Sequence, residues 1–330
     1  MKAFIFGLGG GGDVVSAYIA YEYYKRLGYD TILGAVTWER YIEDPLPGPI
    51  CEFMNADNLN DVITKLNRNS YSIRNGRVVI PQIVKVLKVL NISEGYSICI
   101  REGIRKIARM IDEFALKEGI DVIVGVDAGG DVMAKGCEET LGSPLIDFIM
   151  LNVLTETKTK SVLATIGAGS DGELQQDYIL RRIAEIASRG GLKDIKGIDE
   201  EISRKLDEIL NVVTTEASKI PLEAFRGLYG EVSIRNNTRR VFVTPISAVM
   251  FFMEPKIVYE TSPIAKVIKD SESLEDANEK LNKMGVYTEY NFELDLFSRF
   301  GNDAINVKGD EISKIRSEGK RKLGETKIKC

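Results

Sequence analysis

Apolar and polar positions along this chain fall into two repeating regimes. Short, almost wholly apolar runs end in glycine, and amphipathic stretches follow them. Ala3 to Phe6 is such a run, and a glycine cluster closes it. Val14, Ala17, Tyr18 and Tyr21 then lie at i, i+3, i+4 and i+7, which predicts a helix from Asp13 with one apolar face. Lys25 and Arg26 suit the negative end of its dipole, and Gly28 supplies the stop. Thr31 to Thr37 predicts the next strand, so the opening reads as a β-α-β unit of a parallel sheet.

The same reading continues down the chain. Residues 44–50 are a proline-rich loop, and Ser70 to Ile80 predicts a hairpin turning at Asn75-Gly76. Helical patterns cover about 82–91 and 102–118. Ile120 to Val126 is apolar at nearly every position, as a central parallel strand should be. A helix is expected near Asp131, and another from Ser143-Pro144 to about Leu154. Ser161 to Ile166 predicts a buried strand, with helices from Gly172 to about Ser188 and over about 199–211. Val232 to Ile234 and Arg240 to Thr244 predict strands around Asn236-Asn237, and Ile257 to Tyr259 a further strand. Ser273 to Met284 predicts a helix, with Ser273 and Asp276 at capping-box spacing, and the charged tail from Gly309 a frayed one. The fold class is therefore α/β and Rossmann-like: a mainly parallel open sheet with helices on both faces. Residues 1–212 form its glycine-rich part. Residues 213–330 form a mixed α/β extension, within the same domain or separate from it.

Composition narrows the chemistry. The 330 residues carry 44 Lys plus Arg against 49 Asp plus Glu, a formal net charge of −5, which argues against nucleic acid as a partner. No apolar run is long enough to span a membrane, and the N-terminal one is too short for a signal peptide. There is no histidine, so Ser-His-Asp and Cys-His catalysis and His-ligated zinc are excluded within the chain. Cys51, Cys99, Cys137 and Cys330 form no Cys-x-x-Cys pair; Cys99 reads as a buried small hydrophobe. Many charges and only three glutamines point to a thermophile, and the chain is expected in the cytoplasm.

Three predicted strand-to-helix junctions share one chemistry: Gly7-Leu8-Gly9-Gly10-Gly11-Gly12-Asp13, Asp127-Ala128-Gly129-Gly130-Asp131 and Gly167-Ala168-Gly169-Ser170-Asp171. A parallel sheet brings all three to its carboxyl edge, where open α/β folds bind ligands. Gly7, Gly9 and Gly12 satisfy G-x-G-x-x-G between strand and helix. Gly7, Gly9, Gly10, Gly11, Gly12, Asp13, Gly129, Gly130, Gly167 and Gly169 are thus the expected phosphate-binding set. Asp127, Asp131 and Asp171 are the expected catalytic carboxylates, with Asp127 and Asp131 holding Mg²⁺. The competing reading makes Asp13, Asp131 and Asp171 helix N-caps. Glu39, 27 positions beyond Gly12, is late for a ribose-binding acid and reads with Arg40 as a solvated pair. Arg235, Arg239 and Arg240 could clamp an anion, while Lys320, Arg321, Lys322, Lys327 and Lys329 read as a solvated basic tail.

The stretches Gly9 to Val15, Asp127 to Asp131 and Ser143 to Asp147 resemble the domain of unknown function 1152 family, as do Ser233 to Arg235, Arg239-Arg240 and Thr244-Pro245. The resemblance covers most of the chain. It implies a largely archaeal family and supplies no catalytic residues. The sequence thus supports an enzyme acting on a nucleotide or small phosphorylated metabolite with Mg²⁺. The alternatives are an NAD(P)-binding oxidoreductase and a non-catalytic nucleotide-sensing protein. Homo-oligomerisation is left open.

Overall fold

The computed structural model describes residues 1–235 and 237–330, so the expected turn residue Asn236 lies outside the described residues. Twelve strands are described: β1 (Lys2–Gly7), β2 (Asp30–Val36), β3 (Met54–Asn58), β4 (Ile63–Arg74), β5 (Arg77–Val79), β6 (Glu94–Ile98), β7 (Val122–Ala128), β8 (Lys160–Ile166), β9 (Leu192–Gly197), β10 (Gly230–Ile234), β11 (Arg239–Val243) and β12 (Val249–Met253). The helices are α1 (Asp13–Arg26), α2 (Gln82–Val89), α3 (Ile104–Glu118), α4 (Pro144–Glu156), α5 (Gln176–Ser188), α6 (Glu200–Leu210), α7 (Lys219–Phe225), α8 (Pro255–Glu260), α9 (Pro263–Val267), α10 (Leu274–Lys283), α11 (Glu289–Phe300) and α12 (Asp310–Leu323).

The main sheet runs β3-β4-β6-β2-β1-β7-β8-β12-β9, with β5 paired to β4. Its middle, β6-β2-β1-β7-β8, is parallel throughout. Those five strands are the third, second, first, fourth and fifth of the parallel set in chain order. Strand order therefore reverses between β1 and β7, and a crevice opens at their carboxyl ends. Antiparallel strands flank the parallel core on both sides.

Strand periodicity sorts β1 between two cores. Phe4 and Phe6 face α3, α4, α5 and α10, while Ala3 and Ile5 face α1, α2, α6 and α7. Strand β12, from the 213–330 stretch, lies inside the main sheet between β8 and β9. Helices α11 and α12 add a small satellite core around Tyr287, Phe292 and Ile315.

The structure corrects several expectations. The helix near Asp131 is only one 3₁₀ turn, Asp131–Met133, and the helix placed from Gly172 starts at Gln176. Ile257 to Tyr259 belongs to α8, because Pro255 opens a helix at its first position. Strands β3, β6, β9 and β12 were not expected; β3 and β9 are largely exposed, with polar-rich sequences that carry no apolar alternation, while β6 and β12 are buried. Cys99 is buried but bonded to Cys51, and Cys137 is bonded to Cys330, with Cα atoms 5.1 and 6.1 Å apart. Separations of 48 and 193 residues hide such pairs from any local motif. Lys320 is half-buried rather than solvated, donating to the carbonyls of Glu139 and Leu141. Among the described residues no helix is long and apolar enough to cross a membrane.

Cross-linking across loops this long removes denatured-state freedom, typically worth about 2–4 kcal/mol per bridge. The denatured, unreduced protein is therefore expected to show no free thiol by mass spectrometry after alkylation. Cys330→Ser should melt several degrees below the wild type. An equal melting temperature would mean that the C-terminal bridge constrains nothing.

Candidate functional site

The crevice between the ends of β1 and β7 is a cavity with about 130 Å³ accessible to the centre of a water molecule. One water needs roughly 10–15 Å³ on that measure, so an ion and a small ligand fit together. Asp13 enters from the first turn of α1, Asp127 from the end of β7, and Asp147 from the first turn of α4. Each offers a carboxylate oxygen, and the three lie within 4.8 Å of one another. A second set, Asp131, Asp171 and Glu173, is equally tight. Asp131 lies close enough to Asp127 and Asp147 for their charges to act on it, which joins the two sets into one acidic wall.

The partners of these carboxylates differ. Asp13 Oδ2 accepts from the Gly9 amide at 2.9 Å, and Asp127 Oδ2 from Thr165 Oγ1 at 2.9 Å. Asp171 Oδ1 accepts from the Glu173 amide at 2.9 Å. Asp147 Oδ1 and Asp171 Oδ2 are buried and without a hydrogen-bond partner among the described residues. Glu173 is fully supplied: the amides of Gly142 and Ser143, Ser143 Oγ and Arg239 Nη1 all donate to it, at 2.6, 3.0, 2.6 and 2.9 Å. Glu289 on α11 accepts from the amides of Leu145 and Ile146 and so caps α4 from outside. None of Asp13, Asp131 and Asp171 caps its own following helix by side chain.

Burial sets the protonation of this wall. It raises Asp13, Asp131 and Asp147 well above the usual carboxylate range, and neighbouring aspartates add to the rise. Burial pushes Asp127 up to about 6, against the hydrogen bond from Thr165. Burial and Glu173 push Asp171 up to about 7. Glu173 runs the other way: burial would raise it, but Arg239 and Arg235 hold it well below the usual value.

The glycines serve this packing. A Cβ on Gly9 would stand 2.6 Å from Asp147 Oδ1 and 2.7 Å from Asp13 Oδ2. One on Gly10, at φ +81°, would stand 2.9 Å from the Trp38 carbonyl, and one on Gly12 would run into Thr215. Gly9 to Gly12 line the cavity; Gly7, Gly129, Gly130, Gly167 and Gly169 do not. Gly7 instead admits the start of α1, and Gly129, at φ +124°, admits the Asp171 carboxyl. Two loop amides are already spent, Gly9 on Asp13 and Gly11 on the Trp38 carbonyl. Glu39 is buried rather than solvated, because its Oε1 accepts from the Gln82 amide at the start of α2. Arg40 lines the cavity beside it.

With this geometry in hand, the comparisons add one relation. Residues 4–297 match the family described as Protein of unknown function (DUF1152). The chain belongs to that family. No curated protein and no solved structure matches it significantly. The family span contains every carboxylate of the acidic wall and ends before α12.

Asp13, Asp127, Asp131 and Asp171, singled out from the sequence, do converge on the one cavity. Sequence reasoning missed Asp147, Glu173 and Glu289 as site residues. Asp147 sits three residues after Pro144 at a helix start, a position that reads as dipole compensation.

With no histidine, shifted carboxyls dominate side-chain titration between pH 6 and 8. Besides Asp127 and Asp171, burial lifts Glu289 to about 7 and both Glu39 and Glu293 to about 8. A raised folded-state value contributes stability that is complete below the unfolded value of about 4 and is lost as pH climbs through the folded one. Glu173 acts oppositely and loses its contribution as pH falls. Calorimetry in EDTA should therefore show a melting temperature highest near about pH 5 and falling steadily to about pH 8.5. A flat profile would mean the cavity carboxyls are already compensated.

Proposed function

We propose that this protein is an enzyme that uses a divalent cation, Mg²⁺ or Mn²⁺, on a small phosphorylated metabolite. The observation that carries this reading is the triad Asp13, Asp127 and Asp147, the last two buried and the first half-buried, with Asp147 Oδ1 unpartnered among the described residues and Gly9 leaving room beside it. Carboxylate oxygens are hard donors, and Mg²⁺ favours few protein ligands with the remaining positions left to water and substrate. The donor set fits, and it moves the expected metal ligands from Asp127 and Asp131 toward Asp13, Asp127 and Asp147. A cation bound there would polarise a substrate oxygen and acidify a bound water. Asp171 and Asp131, on the adjoining part of the wall, would hold or move a proton. A group near 7, as Asp171 is, suits acid-base work at neutral pH. Few glutamines and many charges support a thermophilic source, and a thermophile is the setting in which two disulfides agree with a place in the cytoplasm.

A dinucleotide-binding oxidoreductase keeps two observations, the strand order and the unpartnered Glu39 Oε2. Against it, Asp13 fills the start of α1, where a pyrophosphate would rest. The glycine loop there has also given its Gly9 amide to that carboxylate.

Calorimetric titration with Mn²⁺ should give one strong site, and Asp147→Asn should weaken it by at least about tenfold. Phosphorylated metabolites should raise the melting temperature more with Mg²⁺ than with EDTA. Ligand shifts that ignore the metal would overturn the reading and favour the sensing or dinucleotide alternatives.

A further inference from the structure

The wall of the cavity beyond the glycine loop is basic. Arg40 follows β2, Arg235 sits at the turn after β10, and Arg316 projects from α12; all three line the same cavity as the carboxylates. Nothing in the sequence spacing of 40, 235 and 316 marks them as a group.

Arg235 is held with some force. Its backbone adopts φ +51°, a left-handed conformation costly for a side-chain-bearing residue. Its amide donates to both oxygens of Glu216, at 2.9 Å each, which keeps the residue in that conformation. The guanidinium so placed finds one carboxylate within ion-pair distance among the described residues. That is Glu173 Oε1 at 3.8 Å, and Arg239 and Ser143 already occupy it. Burial, then the charges of Arg239 and Arg40, push Arg235 down to about 9.

Arg316 is also pre-positioned. Its guanidinium lies 4.1 Å from the centre of the Phe292 ring, and its Nη1 donates to the Gly142 carbonyl at 3.1 Å. Burial and Arg239 push it down to about 10. Arg40 makes no ion pair among the described residues. Glu216, Glu173 and Asp171 face this wall; Glu216 and Glu173 are engaged as described, and Asp171 lies beyond ion-pair distance of Arg40, Arg235 and Arg316. Guanidiniums crowded together without their own carboxylates are costly unless an anion joins them.

The two ends of the cavity are close. A Cβ on Gly9 would touch the Asp147 carboxylate, and one on Gly11 would lie 3.6 Å from Arg40 Cγ. Two residues of chain span at most ~7 Å. We propose that Arg40, Arg235 and Arg316 form a phosphate subsite. The ligand would then carry a terminal phosphomonoester there and present its reacting end to the carboxylate triad. A phosphate dianion has three terminal oxygens, which suits several planar guanidinium forks. The placement of the reacting end rests on the metal reading above; the phosphate subsite does not.

The probe is inorganic phosphate, titrated calorimetrically into the full chain in EDTA at low ionic strength. One phosphate per chain should bind without metal. Arg235→Gln and Arg40→Gln should each weaken it by about tenfold or more, while Mn²⁺ affinity, measured separately, stays within about twofold. Arg40→Gln guards against a folding defect, because Arg40 makes no ion pair that the fold would lose. Asp147→Asn should do the converse, losing Mn²⁺ and keeping phosphate. Phosphate that fails to bind, binds only with Mn²⁺ present, binds both arginine variants unchanged, or binds no better than acetate would overturn the subsite. A protein that takes phosphate through these arginines but no Mn²⁺ would keep the subsite and overturn the metal reading.

Discussion

Everything at the carboxyl edge of the sheet depends on one buried ion, Glu173. Its two oxygens collect the amides of Gly142 and Ser143, the Ser143 hydroxyl and the Arg239 guanidinium. That set fixes the turn that starts α4, and so fixes Asp147 one turn further on. It also ties the loop after β8 to the loop after β7, which is why Asp131 and Asp171 meet. The arginine that keeps Glu173 charged comes from the start of β11. One ion pair thereby couples the hairpin of the C-terminal extension to the glycine loops of the parallel sheet. Removing one partner of such a buried pair leaves an uncompensated charge, commonly a loss of about 3–5 kcal/mol.

Around that pair the charges are separated rather than matched. Aspartates crowd on one wall, and arginines gather on the other. If stability alone governed this cavity, the two sets would be interleaved as ion pairs, or replaced by apolar side chains of similar volume. Instead Asp147 Oδ1 and Asp171 Oδ2 have no partner, and Arg235 is strained into place with its nearest carboxylate shared. Each wall carries like charges that the described residues only partly compensate. A cation for one and an anion for the other is the simplest completion, and a single phosphorylated ligand carrying a metal supplies both.

The sequence made β1, β2, β7 and β8 legible because burial writes itself as apolar runs, as at Ile120 to Val126, whereas the short interior strands β6 and β12 were not read. It made the loops legible because glycine and aspartate punctuate the ends of those runs. Edge strands escaped. Strand β9, with Lys193, Asp194 and Lys196, is mostly exposed and has no pattern to read. The disulfides, and the grouping of Arg40 and Arg316 with Arg235, escaped for a different reason. Their members are brought together only by tertiary folding over long separations, and no local period reports that. Asp147 escaped because its position at a helix start has an ordinary explanation. The glycines gave a partly misleading signal. Several are required by the chain's own carboxylates and carbonyls, so their number does not measure the size of a ligand.

The division of the cavity also follows the division of the chain. The acidic wall comes from the ends of β1 and β7, the loop after β8 and the first turn of α4. These are the parts that strand order forces together at the reversal between β1 and β7. No insertion elsewhere can move those ends apart without breaking the sheet. The basic wall joins Arg40, just past the end of β2, to Arg235 from a two-stranded hairpin and Arg316 from α12, which lies beyond the span matched by the family. Helix α12 is held by packing on α11, by Arg299 pairing with Glu318, and by the Cys137–Cys330 bond beyond its end. These are contacts of surface elements and can change without disturbing the sheet. The acidic half of the cavity is therefore a consequence of the fold. Of the basic half, Arg40 shares that origin, while Arg235 and Arg316 are carried by elements outside the parallel core.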